Sequence, residues 1–394
     1  MPADLRPSRR VVLGLATAVL LASGCGSSTA PSGGTSTTGA ASSGSASRSA
    51  ATAPPGTSRT AFAFYYLWWD TAHWHARLGP NYPYGASPLP LPATLRGNGC
   101  TVINDYVGNQ LTDVPAALWT QDDPARIRAD VVQAAAAGLA GFAVGWAGTG
   151  QPGQTAASSA FDRRLAEVVD AVHQVNRAGT PFTLWIAYMS SAAIRTRTAM
   201  DNDLAYLQAT YGGDPAFTRA NGGRPTLVMM GSRKYPQAFL DETSTRWRPH
   251  FYLVADENWR TWDAAKAADF DADQYYWSSQ DPERNPASFA KVADLARMVR
   301  ATKNPDGSAK RFFAPMAPGY NKVLGGGTNC VPRLGGRTMR SLFAGNARSA
   351  PDGWTVISWN EIDEGTYLVP MTRYGGQGLQ TLRSLLAAPT GGGR

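Results

Sequence analysis

The segment Trp359-Asn360-Glu361-Ile362-Asp363-Glu364-Gly365-Thr366 places three carboxylates within four residues, directly after the apolar run Thr355-Val356-Ile357. Carboxylates crowded at the end of a buried strand repel one another and lose water, and both effects favour the protonated form of at least one. A carboxyl that keeps its proton near neutral pH is what an acid catalyst needs, with a second, charged carboxylate beside it. If the chain turns after Glu361, the spacing lets Glu361 and Glu364 enter one cavity. The same acids would equally serve as a solvated turn with helix-capping carboxylates.

Aromatic and polar side chains recur where other apolar runs end. They are Tyr65, Tyr66 and Trp68, then His73 and Trp74, then Trp146, Tyr188, Tyr275 with Tyr276, and Tyr320; Asn360 stands within the acidic segment itself. Flat sugar faces stack on such rings, while amides, imidazoles and phenols read hydroxyl groups. Each ring taken singly is also an ordinary core residue. Asp256 and Asn258 stand at the end of a further run, as binding groups or as caps of the next helix. Asp271 and Asp273 are open to either a polar interior layer or an inward role. His73 and His75 alternate, as on one side of an extended segment, but no third ligand follows at zinc-like spacing, so no metal is expected. A Gly-x-Ser-x-Gly elbow is missing, and the glycines at 325–327 and 335–336 lack the Lys-Ser/Thr of a phosphate loop. No cofactor is expected.

These residues need a scaffold that gathers strand ends. Eight apolar runs read as strands: Phe62–Leu67, Gly141–Trp146, Phe182–Tyr188, Pro225–Met230, His250–Ala255, Phe270–Tyr276, Arg311–Met316 and Trp354–Trp359. Several are almost continuously hydrophobic, as parallel strands covered on both faces should be. Amphipathic stretches alternate with them at Pro124–Ala137, Arg163–Ala178, Asp201–Tyr211, Pro236–Thr243, Trp262–Ala268, Pro286–Thr302, Thr338–Arg348 and Leu379–Ala388. Eight strand–helix units predict an α/β fold, a (β/α)8 TIM barrel, with a doubly wound open sheet as the alternative. The long connection from Asp70 to about Gln121 then lies at the C-terminal face, where barrel sites are built. Cys100 sits in it and Cys330 in the loop after the seventh strand, which makes the two a candidate disulfide outside the cytoplasm.

The 394 residues include 43% hydrophobic and 17% charged side chains with 12 Trp, a composition that excludes a disordered or coiled-coil chain. The net charge of +8 is not a nucleic-acid footprint: residues 1–60 carry half of it, and no basic run follows. Residues 1–25 read as an export signal, with Arg9-Arg10 as a twin-arginine-like pair and an apolar run too short to span a bilayer. Leu21-Ala22-Ser23-Gly24-Cys25 is similar to the lipobox of bacterial lipoproteins, with Cys25 the residue that is lipidated; a signal peptide cut without lipidation is the alternative. Residues 26–60, almost all Ser, Thr, Gly, Ala and Pro, read as a flexible tether, and 61–394 as the folded domain.

Phe64-Tyr65-Tyr66-Leu67-Trp68 with His73-Trp74, the Asp123-Pro124 helix start leading to Trp146, and Asn360-Glu361-Ile362-Asp363-Glu364-Gly365-Thr366 with Pro370 resemble glycoside hydrolase family 99. Family 71, which acts on α-1,3-glucans, has a comparable last-strand element. The resemblance implies a retaining glycosidase. Glu361 would assist the sugar's own 2-hydroxyl as general base, and Glu364 would act as general acid/base on the leaving oxygen and then on water. It departs at strand three, where the family has Glu-Pro and this chain reads Ala187-Tyr188-Met189-Ser190. The expectation is therefore a monomeric, exported, lipid-anchored enzyme acting on an α-linked mannan or glucan, touching no nucleic acid and meeting the membrane through its anchor alone. A non-catalytic carbohydrate-binding lipoprotein and an envelope interaction protein are the alternatives.

Overall fold

In the computed structural model, residues 56–83, 100–103, 105–153, 159–190, 195–220 and 222–387 are described. The export signal, Cys25 and the tether up to residue 55 lie outside them. Eight parallel strands form one sheet: β1 (Ala61–Tyr66), β2 (Gly141–Trp146), β3 (Thr183–Tyr188), β4 (Arg224–Met229), β5 (Tyr252–Asp256), β6 (Ala272–Gln274), β7 (Arg311–Met316) and β8 (Gly353–Val356). Each pairs with its neighbour in sequence, and β8 pairs with β1, closing the ring. This is the (β/α)8 barrel; the open doubly wound sheet is excluded by that closure.

The helices between strands are α1 (Thr71–Leu78), α2 (Pro124–Ala136), α3 (Ser159–Arg177), α4 (Arg197–Tyr211), α5 (Gln237–Trp247), α6 (Ala264–Ala268), α7 (Ser288–Ala301), α8 (Arg337–Asn346) and α9 (Gln377–Leu386). Local chemistry starts them. Asp70, Asp123, Thr196 and Asp263 each accept an amide hydrogen at a helix N-terminus, a cap worth about 1 kcal/mol.

One element departs from the sequence reading. The connection after β1 is not loop throughout: Asp70 caps α1, which carries His73, Trp74 and Arg77. His73 and His75 are therefore about 200° apart around a helix rather than together on an extended face. The apolar pattern of this turn of helix is short and interrupted by three basic or imidazole side chains, which is why periodicity does not reveal it.

Two cores follow from the period-2 pleat. Phe62, Phe64 and Tyr66 of β1 point into the barrel with Ala143, Trp185, Ala187, Val254, Ala272 and Phe313. Trp185 stacks on Phe62 at 4.0 Å and meets Phe313 edge-on at 4.8 Å. Such ring pairs add about 0.5–1.5 kcal/mol beyond the area they bury. Alternate residues, among them Tyr65, Val144, Trp146, Ile186 and Tyr188, point outward into the larger core under the helices. That alternation decides which strand-end residues reach the site.

Candidate active site

The chain leaving β8 is folded back on itself by its own polar groups. Ser358 Oγ accepts the Glu361 amide at 2.7 Å, and Thr366 donates its amide to Glu361 O at 3.2 Å. Asn360 is buried and grips the Tyr66 backbone from both sides: its Oδ1 accepts the Tyr66 amide and its Nδ2 donates to Tyr66 O, both at 2.8 Å. Asn360 thus acts as a clamp between the two strands' ends, and not as the sugar-binding group expected from sequence. Gln121 donates to the same Tyr66 carbonyl and accepts the Trp69 amide, fixing the turn before α1.

With that turn held, Glu361 and Glu364 both face the barrel mouth, at 4% and 8% exposure. Glu361 Oε1 and Glu364 Oε2 are buried without a hydrogen-bond partner. Burial, then the charges of Asp363 and Glu364, push the Glu361 carboxyl well above the usual carboxylate range. Glu364 is raised by burial as well, but the Lys322 ammonium pulls it back down, helped by the Ser278 hydroxyl. Lys322 Nζ lies 3.8 Å from Glu364 Oε1.

Across from the acids, the hydroxyls of Tyr66 and Tyr276 share a hydrogen bond of 2.6 Å. Burial first, and the nearby glutamate charges after it, push both phenols up, so both stay neutral at ordinary pH. Trp68, half-buried, stacks on the Tyr66 ring at 4.3 Å and leaves its indole N–H without a partner. His73 lies 6.2 Å from the Trp68 ring and 3.6 Å from Asp363, whose other partner is Arg77 at 3.0 Å. Asp256 points inward, but its lone pairs are taken by the Gly231 amide, Arg233 and Gln274, with the Tyr276 amide at 3.4 Å. It braces Tyr276 from below.

Several residues expected at the rim lie elsewhere, and the pleat explains most of them. Tyr65 points outward and donates to Asp130 on α2. Trp146 points outward to Asp162 on α3, and Tyr188 to Asp203 on α4. Trp74 is 1% exposed, packed between Trp69 and Trp119 under the helix layer. Tyr275 takes the opposite side of its segment from Tyr276 and packs on Trp277. Asn258 closes a local turn by accepting the Arg260 and Thr261 amides. Tyr320 lines a narrow crevice with Cys100, Arg333 and Tyr374, behind the acidic loop. Asp273 points away from the interior, toward Glu257.

Sequence reasoning missed Lys322, Arg77 and Ser278. Lys322 directly follows Tyr320-Asn321, so the right strand mouth was in view and only the side chain was not. It follows the first strand of a small antiparallel hairpin, Tyr320–Asn321 paired with Cys330–Val331, which is docked firmly. Asn321 donates its amide to Glu364 O at 2.7 Å and its side-chain nitrogen to Thr101 O at 3.2 Å, and its carbonyl accepts from Thr112. Gly365 sits at φ +66°, and a Cβ there would come within 2.9 Å of the Asn321 backbone, so only glycine permits this approach. A disulfide between Cys100 and Cys330 closes the same hairpin onto the connection after β1.

No protein-family model matches the sequence, and no curated protein matches it. The fold is similar to solved structures. The GH99 endo-alpha-mannosidase from Bacteroides thetaiotaomicron superposes with a TM-score of 0.59 at 16% identity, covering 84% of this chain and 97% of that one. A structure described as a glycoside hydrolase-like protein gives 0.57 at 13% identity, covering 79% of this chain and 99% of that one. The class so defined is the (β/α)8 TIM barrel. At these identities the likeness is one of fold.

The strand-three departure has a structural counterpart. Met189, just past β3, faces the barrel interior beside Gly145 and Tyr66, so a thioether stands near where the family 99 resemblance implies a carboxylate.

Proposed function

We propose that this protein is a glycoside hydrolase acting on an α-linked mannan- or glucan-type polysaccharide, with Glu361 and Glu364 as its acid–base pair. One observation carries the reading: two carboxyls in one mouth, unequal in their surroundings, opposite a neutral tyrosine pair and an aromatic platform. Cleaving a glycosidic bond needs a proton for the leaving oxygen and a charged carboxylate for the sugar side, and unequal surroundings let one carboxyl supply each. Trp68 and Tyr66 provide a face on which a sugar ring stacks, and the phenols supply hydroxyl partners. Similarity of fold to an endo-alpha-mannosidase supports the mannan end of the substrate range.

A lipid-anchored, exported location, reached through the twin-arginine-like segment and Cys25, is part of the same proposal. The Cys100–Cys330 disulfide supports it, because such bonds persist in oxidising compartments. So is a monomeric state. The test is release of reducing sugars from α-mannan, α-glucan and wall polysaccharides by the full chain, with Glu361→Gln and Glu364→Gln as controls. Full activity in both variants ends the reading.

A further inference from the structure

Glu364 sits on a turn whose backbone must be fixed from outside. Gly365, next to it, takes φ +66°, and glycine permits such a turn without enforcing it, because its backbone is the freest of all residues. Two residues of the hairpin formed by Tyr320–Asn321 and Cys330–Val331 supply what the turn lacks. At one end the Asn321 amide donates to Glu364 O at 2.7 Å. At the other, just past Val331, one terminal nitrogen of Arg333 donates to Gly365 O at 3.0 Å and to Tyr367 O at 2.7 Å. The turn is thereby bracketed on both sides of Gly365.

Arg333 is a costly cation to bury. It is 5% exposed, and among the described residues no carboxylate lies within 4 Å of its guanidinium. Its charge lies instead between the rings of Tyr367 and Tyr374, 4.3 Å from each centroid. Its stem is packed against Gly319, where a Cβ would come within 2.8 Å of Arg333 Cγ. Its carbonyl accepts the amide of Gly336, the residue before α8, at 2.9 Å. Tyr367 is anchored in turn by its hydroxyl, which donates to Asp113. Desolvating a cation without a counter-ion opposes folding, so stability alone would be served by an apolar side chain of the same volume. What the guanidinium adds is direction, with donors that hold two carbonyls of one turn together.

We propose that Arg333 is a positioning residue that fixes the aim of Glu364 by bracketing the turn after it. This rests on the reading of Glu361 and Glu364 as the reacting pair, and Arg333 reaches Glu364 only through the backbone.

Arg333→Met keeps the volume between the two rings and removes the donors. It should lower kcat by about 10²-fold, the scale of an ångström-sized misplacement, with KM changed less than about threefold. Arg333→Lys, which returns a cation and donors, should recover part of that loss. Leu204→Ala, on the buried face of α4, lowers stability away from the mouth and the hairpin and should leave kcat as it was. The proposal is overturned if Arg333→Met keeps full kcat, if its loss lies in KM alone, or if Arg333→Lys recovers nothing. A second readout needs no substrate. The chain contains six glutamates, Glu167, Glu242, Glu257, Glu283, Glu361 and Glu364, so labelling their carboxyl carbons with 13C gives a short spectrum in which Glu364→Gln assigns the Glu364 resonance. Arg333→Met should shift that resonance and leave those of Glu167, Glu242, Glu257 and Glu283 in place; an unmoved Glu364 resonance overturns the proposal even where activity falls. Should Arg333→Met fail to fold, Arg333→Lys is read by both measurements. A chain that hydrolyses nothing, but whose Glu364 resonance answers to Arg333→Met, refutes the hydrolase reading and leaves the positioning standing.

Discussion

Among the described residues, two pairs of buried acids near the strand ends differ in where they face. Glu361 and Glu364 look into the mouth. Glu257 and Asp273 look the other way, sealed between strands and helices at 0% and 2% exposure. The second pair is perturbed in the same direction as the first: burial, then the Asp256 charge, pushes Glu257 up to about 8, and burial with the Glu257 charge raises Asp273 well above its ordinary range. Glu257 Oε1 accepts only the Ser232 hydroxyl at 3.3 Å, and Asp273 Oδ1 the Glu257 amide. Perturbed acidity alone does not mark a site. What separates the pairs is their setting: the first lies with the bonded Tyr66 and Tyr276 hydroxyls and the half-buried Trp68 ring, which offers a stacking face, whereas the second is closed in between strands and helices.

The comparison is broken most directly at the mouth. Glu361→Gln and Glu364→Gln should each lower hydrolysis by about 10²–10⁴-fold, with the melting temperature little changed. Activity and calorimetry on the same samples check it. Loss of the Cys100–Cys330 bond in Cys100→Ser should cost about 2–4 kcal/mol in denaturant unfolding and depress activity further, because the Lys322 hairpin loses an anchor. Unchanged activity after that substitution would separate the hairpin from the site.

For the sealed pair the effect should fall on stability. A carboxyl whose folded-state acidity is weakened, such as Glu257, favours folding fully below its unfolded value near 4.5, and that contribution is lost as pH rises through about 8. Glu257→Gln should therefore flatten the fall of stability between those values, by on the order of 1–3 kcal/mol at the alkaline end. Hydrolysis should be unaffected, and urea unfolding at several pH values tests both halves. The smallest effect contrasts neighbours on β1. Tyr66→Phe should cut activity about tenfold by removing one hydrogen bond in the mouth, whereas Tyr65→Phe should cost about 1 kcal/mol of stability at the Asp130 contact and no activity. If the two variants exchange phenotypes, the inward-facing parity assigned to β1 is wrong.

All eight strand positions, to within a few residues, and the helices from α2 onward were legible from the chain alone. Parallel strands covered on both faces must be apolar along their whole length, and capped amphipathic helices advertise their starts at residues such as Asp123-Pro124. The acidic segment after β8 was legible for a related reason, since carboxylates directly after a buried strand stand out by type. A run apolar on both sides, however, does not reveal which of its faces turns inward. Tyr65 and Tyr66, or Tyr275 and Tyr276, are indistinguishable by composition, and only closure of the barrel set their parity. Lys322 belongs to the same lesson: its distance from Glu364 spans 42 positions of sequence, and a charge pair formed by docking a hairpin exists only once the chain has folded.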